Sequence, residues 1–220
     1  MSPRLKEYLR WLATSVHRVT LTRWNLRRNR HRRHRRLEIG TGQTRLHGFE
    51  TLNVVYHRAT DYIHDAARPL PFADSSFSIV YASHVLEHIP WYQGLAVVRD
   101  WVRVLEPGGA LELWVPDALL ICRTLVACEE SHSSAAIKDD WWRFNARQDP
   151  ALWAAGRLFS YGDGTGAARS PNWHRALYTP RFLASVMKSA GPSEIERLEP
   201  SHVRGDDHGW INLGMRGVRH

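Results

Sequence analysis

The chain has 220 residues, 43% of them apolar, which is enough for one domain with a sizeable core and crowded for two. Its formal charge of +8 is lopsided: residues 1–36 carry twelve Arg or Lys against the single Glu7, so residues 37–220 are slightly acidic. Two cysteines, no run of about 18 apolar residues, and a start interrupted by Lys6, Glu7 and Arg10 argue against a disulfide scaffold, a membrane span and a secretory leader, and predict a cytoplasmic protein.

In chain order, Leu5, Leu9, Leu12, Val16 and Val19 recur with the period of one helical face and predict an amphipathic helix. That face can pack on the domain or lie in a membrane interface, with Trp11 and Trp24 near headgroups. Behind it, Arg27-Arg28-Asn29-Arg30-His31-Arg32-Arg33-His34-Arg35-Arg36 is dense enough to attract phosphate, on anionic lipid or on nucleic acid. Residues 1–36 therefore read as a basic arm ahead of a domain at 37–220. The expected partner is an anionic membrane surface, at the inner face, with nucleic acid second.

Leu37-Glu38-Ile39-Gly40-Thr41-Gly42 reads as a strand running into a glycine turn. Asn53-Val54-Val55-Tyr56 follows too soon for a full crossover helix, so the first crossover is expected to be abbreviated. Asp61 to Asp65 reads as a third strand and Phe77 to Ala82 as a buried fourth. Leu95, Val98, Val102 and Leu105 make a helix stopped by Pro107 and Gly108, and Ala110 to Val115 make a fifth strand. Strands alternating with helical patterns predict an α/β fold with a doubly wound, mainly parallel sheet. Residues 117–178 exceed what such a core needs. They hold Trp141, Trp142, Phe144, Trp153, Phe159, Tyr161 and Trp173 and the run from Gly162 to Gly166, and are read as a substrate-side cap. Thr179-Pro180 opens a helix to Gly191, and Glu194 to Leu198 and Trp210 to Met215 complete the sheet as a terminal pair.

Five segments in a fixed order carry more than their parts: Leu37 to Gly42, Leu70-Pro71-Phe72, Ser76 to Ser83, His84-Val85-Leu86-Glu87-His88, and Val104 to Leu113. Together, over roughly residues 37–116, they resemble the class I S-adenosylmethionine-dependent methyltransferases, in the small-molecule, type 11-like branch. The resemblance implies a Rossmann-like sheet of seven strands and an enzyme moving a methyl group from S-adenosylmethionine to oxygen or nitrogen by in-line displacement. It implies that Glu38, Gly40, Thr41 and Gly42 line the amino-acid part of that cofactor. It puts Asn53, in place of the usual acid, at the ribose hydroxyls, with Glu50 as a substitute. Asp65 would accept from the adenine amino group with Ala66 and Ala67 near the ring, and Ser83 and His84 would close the fourth strand where donor and acceptor meet.

Gly48-Phe49-Glu50-Thr51-Leu52-Asn53 is similar to a subgroup of these enzymes whose glycine loop runs almost directly into the second strand, and Asn172-Trp173-His174 resembles an element of methyltransferases in glycan pathways, which with the tryptophan-rich cap implies a sugar, glycolipid or other small-molecule acceptor. His84 and His174 are the catalytic candidates, as general bases, with a wall of the pocket as the other reading of His84. His84-Val85-Leu86-Glu87-His88 also matches the H-x-x-E-H pattern of inverted zinc peptidases, but a strand before it and Pro90 after it leave no room for the long helix that chemistry needs. No metal is expected. Two rivals stand beside the main reading. A nucleic-acid methyltransferase lacks the Asn-Pro-Pro-Tyr type motif after the fourth strand, and a non-catalytic scaffold would follow if Asn53 has cost the chain its cofactor.

Overall fold

The computed structural model describes residues 12–42, 44–139, 144–160 and 170–220. Parallel strands β1 (Arg36–Ile39), β2 (Glu50–Asn53), β3 (Tyr62–Ile63), β4 (Phe77–Ser83) and β5 (Leu105–Pro116) lie beside an antiparallel pair, β6 (Ser193–Leu198) and β7 (Asn212–Val218). The sheet order is β3-β2-β1-β4-β5-β7-β6. β1 pairs with both β2 and β4, so the order reverses between β1 and β4. The crevice at their carboxyl ends is where open α/β sheets bind ligands.

The first crossover is abbreviated as expected: β1 reaches β2 through a loop without a helix. β3 is shorter than Asp61 to Asp65, which leaves Asp65 on the loop after the strand. Pro107 and Gly108 do not end a helix directly. Helix α2 (Gly94–Arg103) stops before them, and they sit within the irregular start of β5, where Gly108 takes φ +77° and donates its N–H to the Arg219 carbonyl at 2.7 Å. Helix α5 (Pro180–Ala190) starts as read, with Pro180 in its first turn and Thr179 Oγ1 accepting from the Phe182 N–H at 3.3 Å.

The main core joins sheet residues Leu37, Ile39, Val80, Leu111 and Leu113 to Val98 and Trp101 of α2 and Leu183 and Met187 of α5. The cap contains helices α3 (Ala118–Ser131) and α4 (Pro150–Phe159) and has its own small core of Ile121, Trp153, Ala154 and Ile211. Trp153 stacks on Trp210 at 5.9 Å, and both indole N–H groups donate to Asp139. These tryptophans are packing residues. Trp141, Trp142, Tyr161 and the run from Gly162 to Gly166 lie outside the described residues.

The arm docks mainly through its polar side, with Leu26 packed against the main core. Residues 12–19 are helical and lead into α1 (Leu21–Asn29), whose buried residues are Thr22, Asn25 and Asn29. Thr22 Oγ1 accepts from the Ile63 N–H at 2.8 Å, Asn25 Nδ2 donates to the Asp61 carbonyl at 2.9 Å, and Asn29 Nδ2 donates to Glu50 Oε2 and to the Tyr62 hydroxyl. The apolar positions Leu12, Val16 and Val19 face outward, as does Trp24. From Thr14, whose hydroxyl accepts from the Tyr56 N–H, the basic segment is thus fastened to the domain. Starting the chain at residue 31 would remove these partners. At about 1 kcal/mol per hydrogen bond, urea denaturation of the truncated protein should show a loss of about 3 kcal/mol or more.

Candidate active site

β1 ends in a turn at Gly40, where φ is +81°, a conformation open to glycine and strained for other residues. A Cβ at Gly40 would also lie 2.0 Å from Val85 Cγ2, so backbone and packing both demand glycine here. Thr41 donates its hydroxyl to the Thr44 carbonyl at 2.8 Å. Glu38 is buried and accepts from the Leu46 N–H at 2.9 Å. Burial pushes its carboxyl up, only partly opposed by the bond from the Leu46 N–H.

Asn53 closes β2 and donates its Nδ2 to the Thr41 carbonyl, while its Oδ1 accepts from the Val55 N–H at 3.3 Å. The amide therefore ties the end of β2 to the glycine turn, a bond that a carboxylate could not donate. Asp65 accepts from the Ala67 N–H at 3.0 Å and stands about half exposed, 3.7 Å from Arg68 Nε. The Ala66 carbonyl accepts from the Trp101 indole N–H at 3.1 Å. These features bear on whether S-adenosylmethionine fits. The side-chain-free Gly40 turn and the accessible Asp65 carboxylate suit the methionine and adenine ends. Asn53 Oδ1 keeps a lone pair for a ribose hydroxyl. The residues fit the group, with a weaker hold on the ribose than a carboxylate would give.

At the end of β4, Ser83 Oγ donates to the Asp206 carbonyl at 2.7 Å, and the nearest atom to a Cβ built at Gly42 is Asp206 Oδ1 at 3.4 Å. The β6–β7 loop thus lies against both the glycine turn and β4. His84, at φ +54°, turns its ring between two oxygens: Nδ1 lies 3.1 Å from Glu87 Oε1 and Nε2 lies 3.0 Å from Asn212 Oδ1. The Asn212 amide is oriented by its own bonds, since Nδ2 donates to Asp207 Oδ1 at 2.5 Å and Oδ1 accepts the His208 N–H at 3.1 Å. His84 thereby faces two acceptors with two ring nitrogens. His208 stacks on it at 3.6 Å, and burial, reinforced by the His84 charge, pushes the His208 imidazole down to about 3.

Glu87, 1% exposed, is the centre of this cluster. Burial would raise its carboxyl, but the bond and charge of His84, with further contributions from His88 and His174, outweigh it and hold the group well below the usual carboxylate range. His174 comes from the far side of the cap and is strapped there by backbone: Arg175 and Ala176 N–H groups both donate to the Glu87 carbonyl, at 2.7 and 3.1 Å. Burial lowers the His174 imidazole, against the pull of Glu87.

The structure thus gathers Glu38, Gly40, Thr41, Gly42 and Asn53 around the β1 turn. It sets Asp65 and Ala66 just past β3, and brings His84 and His174 together through Glu87. Sequence reading missed Glu87 as the hub and missed Asp206, His208 and Asn212 altogether. The H-x-x-E-H motif could have pointed to Glu87; nothing local marks the other three.

Residues 8–113 match a family model described as a methyltransferase domain, a span that includes β1 to β4 and most of β5. Among solved structures, the chain resembles an S-adenosylmethionine-dependent methyltransferase of Thermotoga maritima, described as a possible histamine N-methyltransferase. That match has 16% identity over 98% of this chain and 96% of that one, with a TM-score of 0.50. An S-adenosylmethionine-dependent methyltransferase of Mesorhizobium loti matches at 14% identity over 84% of this chain and 90% of that one, also with a TM-score of 0.50. At such identities the likeness speaks for the fold. No curated protein matches the sequence.

Proposed function

We propose that the chain, whose sheet has the class I methyltransferase fold, is an S-adenosylmethionine-dependent methyltransferase whose acceptor is a small molecule or glycan bearing a hydroxyl or amine. The observation that carries this reading is the convergence of His84 and His174 on Glu87 at the carboxyl end of β4, beside the glycine turn. Exposed rings flank it: Trp91 and Tyr92 are 70% and 67% exposed, and the Trp91 N–H donates to the carbonyl of Arg175, next to His174. Such aromatic faces suit the apolar side of a sugar.

S-adenosylmethionine, when bound, supplies the electrophilic methyl group. Glu38 and the Gly40 to Gly42 turn hold its amino-acid end, Asn53 the ribose, and Asp65 and Ala66 the adenine. Ser83 and the β6–β7 loop close over the crevice and keep water out. His84, held between Glu87 and Asn212, fixes the geometry of the acceptor side. His174 aligns the acceptor and assists loss of its proton. Alignment of two reactants in a dry site is worth several kcal/mol by itself.

Calorimetry should show micromolar-range binding of S-adenosylmethionine, weakened at least tenfold in Gly40→Val, whose side chain would strike Val85, and less in Asp65→Ala. A wild-type protein giving neither heat nor a thermal shift would make the chain the scaffold described above.

A second observation favours a membrane partner. The outward row of Leu12, Val16 and Val19 lies with exposed Trp24 in the segment richest in arginine, the composition of an interfacial helix. Among the described residues no helix is long and apolar enough to cross a membrane. The full chain should sediment with vesicles containing anionic lipid, and the paired change Val16→Glu, Val19→Glu should abolish this without altering cofactor affinity. Raising salt should weaken it, because exposed charges are screened over about 10 Å at 0.1 M. Indifference to vesicles together with tight, salt-sensitive RNA binding would favour the nucleic-acid reading instead.

A further inference from the structure

Only one oxygen of the Glu87 carboxylate is used. Oε1 faces His84, whereas Oε2, also buried, has no hydrogen-bond partner among the described residues. Buried carboxylate oxygens are ordinarily satisfied by donors or by a cation. Next to it stand His88 and His174, their rings 5.0 Å apart, and one ligand atom each from Glu87, His88 and His174 lie within 4.8 Å of one another.

The two imidazoles are each held by a carbonyl. His88 Nδ1 lies 3.4 Å from the Trp173 carbonyl, and the His174 ring is hydrogen-bonded to the Leu158 backbone. A ring nitrogen that donates to a carbonyl carries the proton, which leaves the other nitrogen bare with its lone pair aimed elsewhere. That arrangement is the usual support of a metal-bound histidine. A cavity of about 10 Å³, room for roughly one water or ion, adjoins Glu87 and His174. Arg157, which also lines it, is paired with Asp139 at 3.1 Å.

We propose that Glu87 Oε2, His88 and His174 bind a divalent first-row metal ion, zinc by preference, with a coordination position left open toward the acceptor side. Two imidazole nitrogens and one carboxylate oxygen are a donor set that suits zinc and, in catalytic sites, leaves the fourth position to water or substrate. Zinc bonds of about 2.0–2.1 Å place neighbouring ligand atoms about 3.3 Å apart, so ligand atoms that lie within 4.8 Å of one another must close by at most about 1.5 Å. The ligand set is not the pair that the motif suggests. His84 is turned to Glu87 Oε1 and Asn212, and the third ligand arrives from the cap. The inference rests on the reading of His174 as an acceptor-side residue and adds how it acts: as a ligand to an ion that receives the acceptor oxygen, in place of a bare base.

The test uses the full chain, stripped with chelator, reloaded with zinc chloride and desalted before elemental analysis. About one zinc per chain is expected for the wild type and for the exposed-site control His202→Ala, and at least tenfold less in His88→Ala and in His174→Ala. Cobalt loading of the wild type should give the intense visible bands of a four- or five-coordinate ion, and X-ray absorption of the zinc form should show two imidazoles. These readouts decide the matter even if a variant fails to fold. Native wild-type protein that retains no zinc, or retains it equally in both histidine variants, would overturn the proposal. Turnover that persists in metal-free wild type but falls in His174→Ala would remove the ion and leave His174 on the acceptor side.

Discussion

Replacing Glu50 with glutamine is expected to destabilise the fold by about 3–5 kcal/mol at neutral pH, with a fall in melting temperature of roughly 10 °C. The reason lies at the amino-terminal end of the sheet. Arg35 grips Glu50 through two bonds, Nε to Oε1 at 2.7 Å and Nη2 to Oε2 at 2.8 Å, with side chains only 5% and 12% exposed. The Tyr62 hydroxyl donates to the same carboxylate, and Asn29 adds a fourth donor. Burial pushes the Glu50 carboxyl up. The bonds from Arg35, Tyr62 and Asn29 with the Arg35 charge outweigh that and leave it below its ordinary value. Removing the carboxylate charge would strand the Arg35 guanidinium against the Phe77 ring, 4.3 Å away, with no anion.

The same network gives the effect a pH dependence of definite sign. A carboxyl whose folded pKa lies below its unfolded value of about 4.3 contributes its full stability above that value, and the contribution is lost as pH falls through the folded pKa. The stability gap between wild type and Glu50→Gln should therefore be constant from neutrality down to about pH 5 and shrink below about pH 4. Urea denaturation of both proteins across that range measures it, and a gap that widens in acid would mean that the pair is not what holds Arg35 in place.

Most of the sheet could be read from the chain because its signals are local. Phe77 to Ser83 is apolar enough to be recognised as a central strand, Thr179-Pro180 caps a helix by side-chain chemistry, and the ten residues between Ile39 and Glu50 are too few for a crossover helix. The docking of α1 was not readable in this way. Periodicity finds the apolar stripe, and here the domain takes the polar one, where Thr22, Asn25 and Asn29 meet buried backbone and side-chain groups of β2 and β3. The site divides similarly. The glycine turn and Asp65 stand in a motif, whereas Asn212 meets His84 from 128 residues away, and Glu87 looks like part of a linker until the fold wraps histidines around it.

His174 is where the sequence reading and the three-dimensional cluster meet, and replacing it with alanine should lower turnover on the true acceptor by about 10² to 10⁴ while leaving S-adenosylmethionine affinity nearly intact. The backbone around it argues that the change stays local. The His174 N–H donates to the Phe159 carbonyl at 3.2 Å, and the next two residues are strapped to Glu87 by their own N–H groups, so none of these bonds involves the ring. Loss of the imidazole frees the Leu158 carbonyl and removes a neighbour of His88, but leaves the Gly40 turn, Asn53 and Asp65 untouched. Either role for the ring, accepting a proton or ligating an ion, predicts loss of turnover with retained cofactor binding. A packing role predicts a different pattern, in which melting temperature, cofactor affinity and rate all decline together. Single-turnover rates measured beside calorimetric affinities separate the two, and a His174→Ala enzyme of near wild-type rate would take His174 out of the reaction and leave the acceptor side to His84 and Glu87.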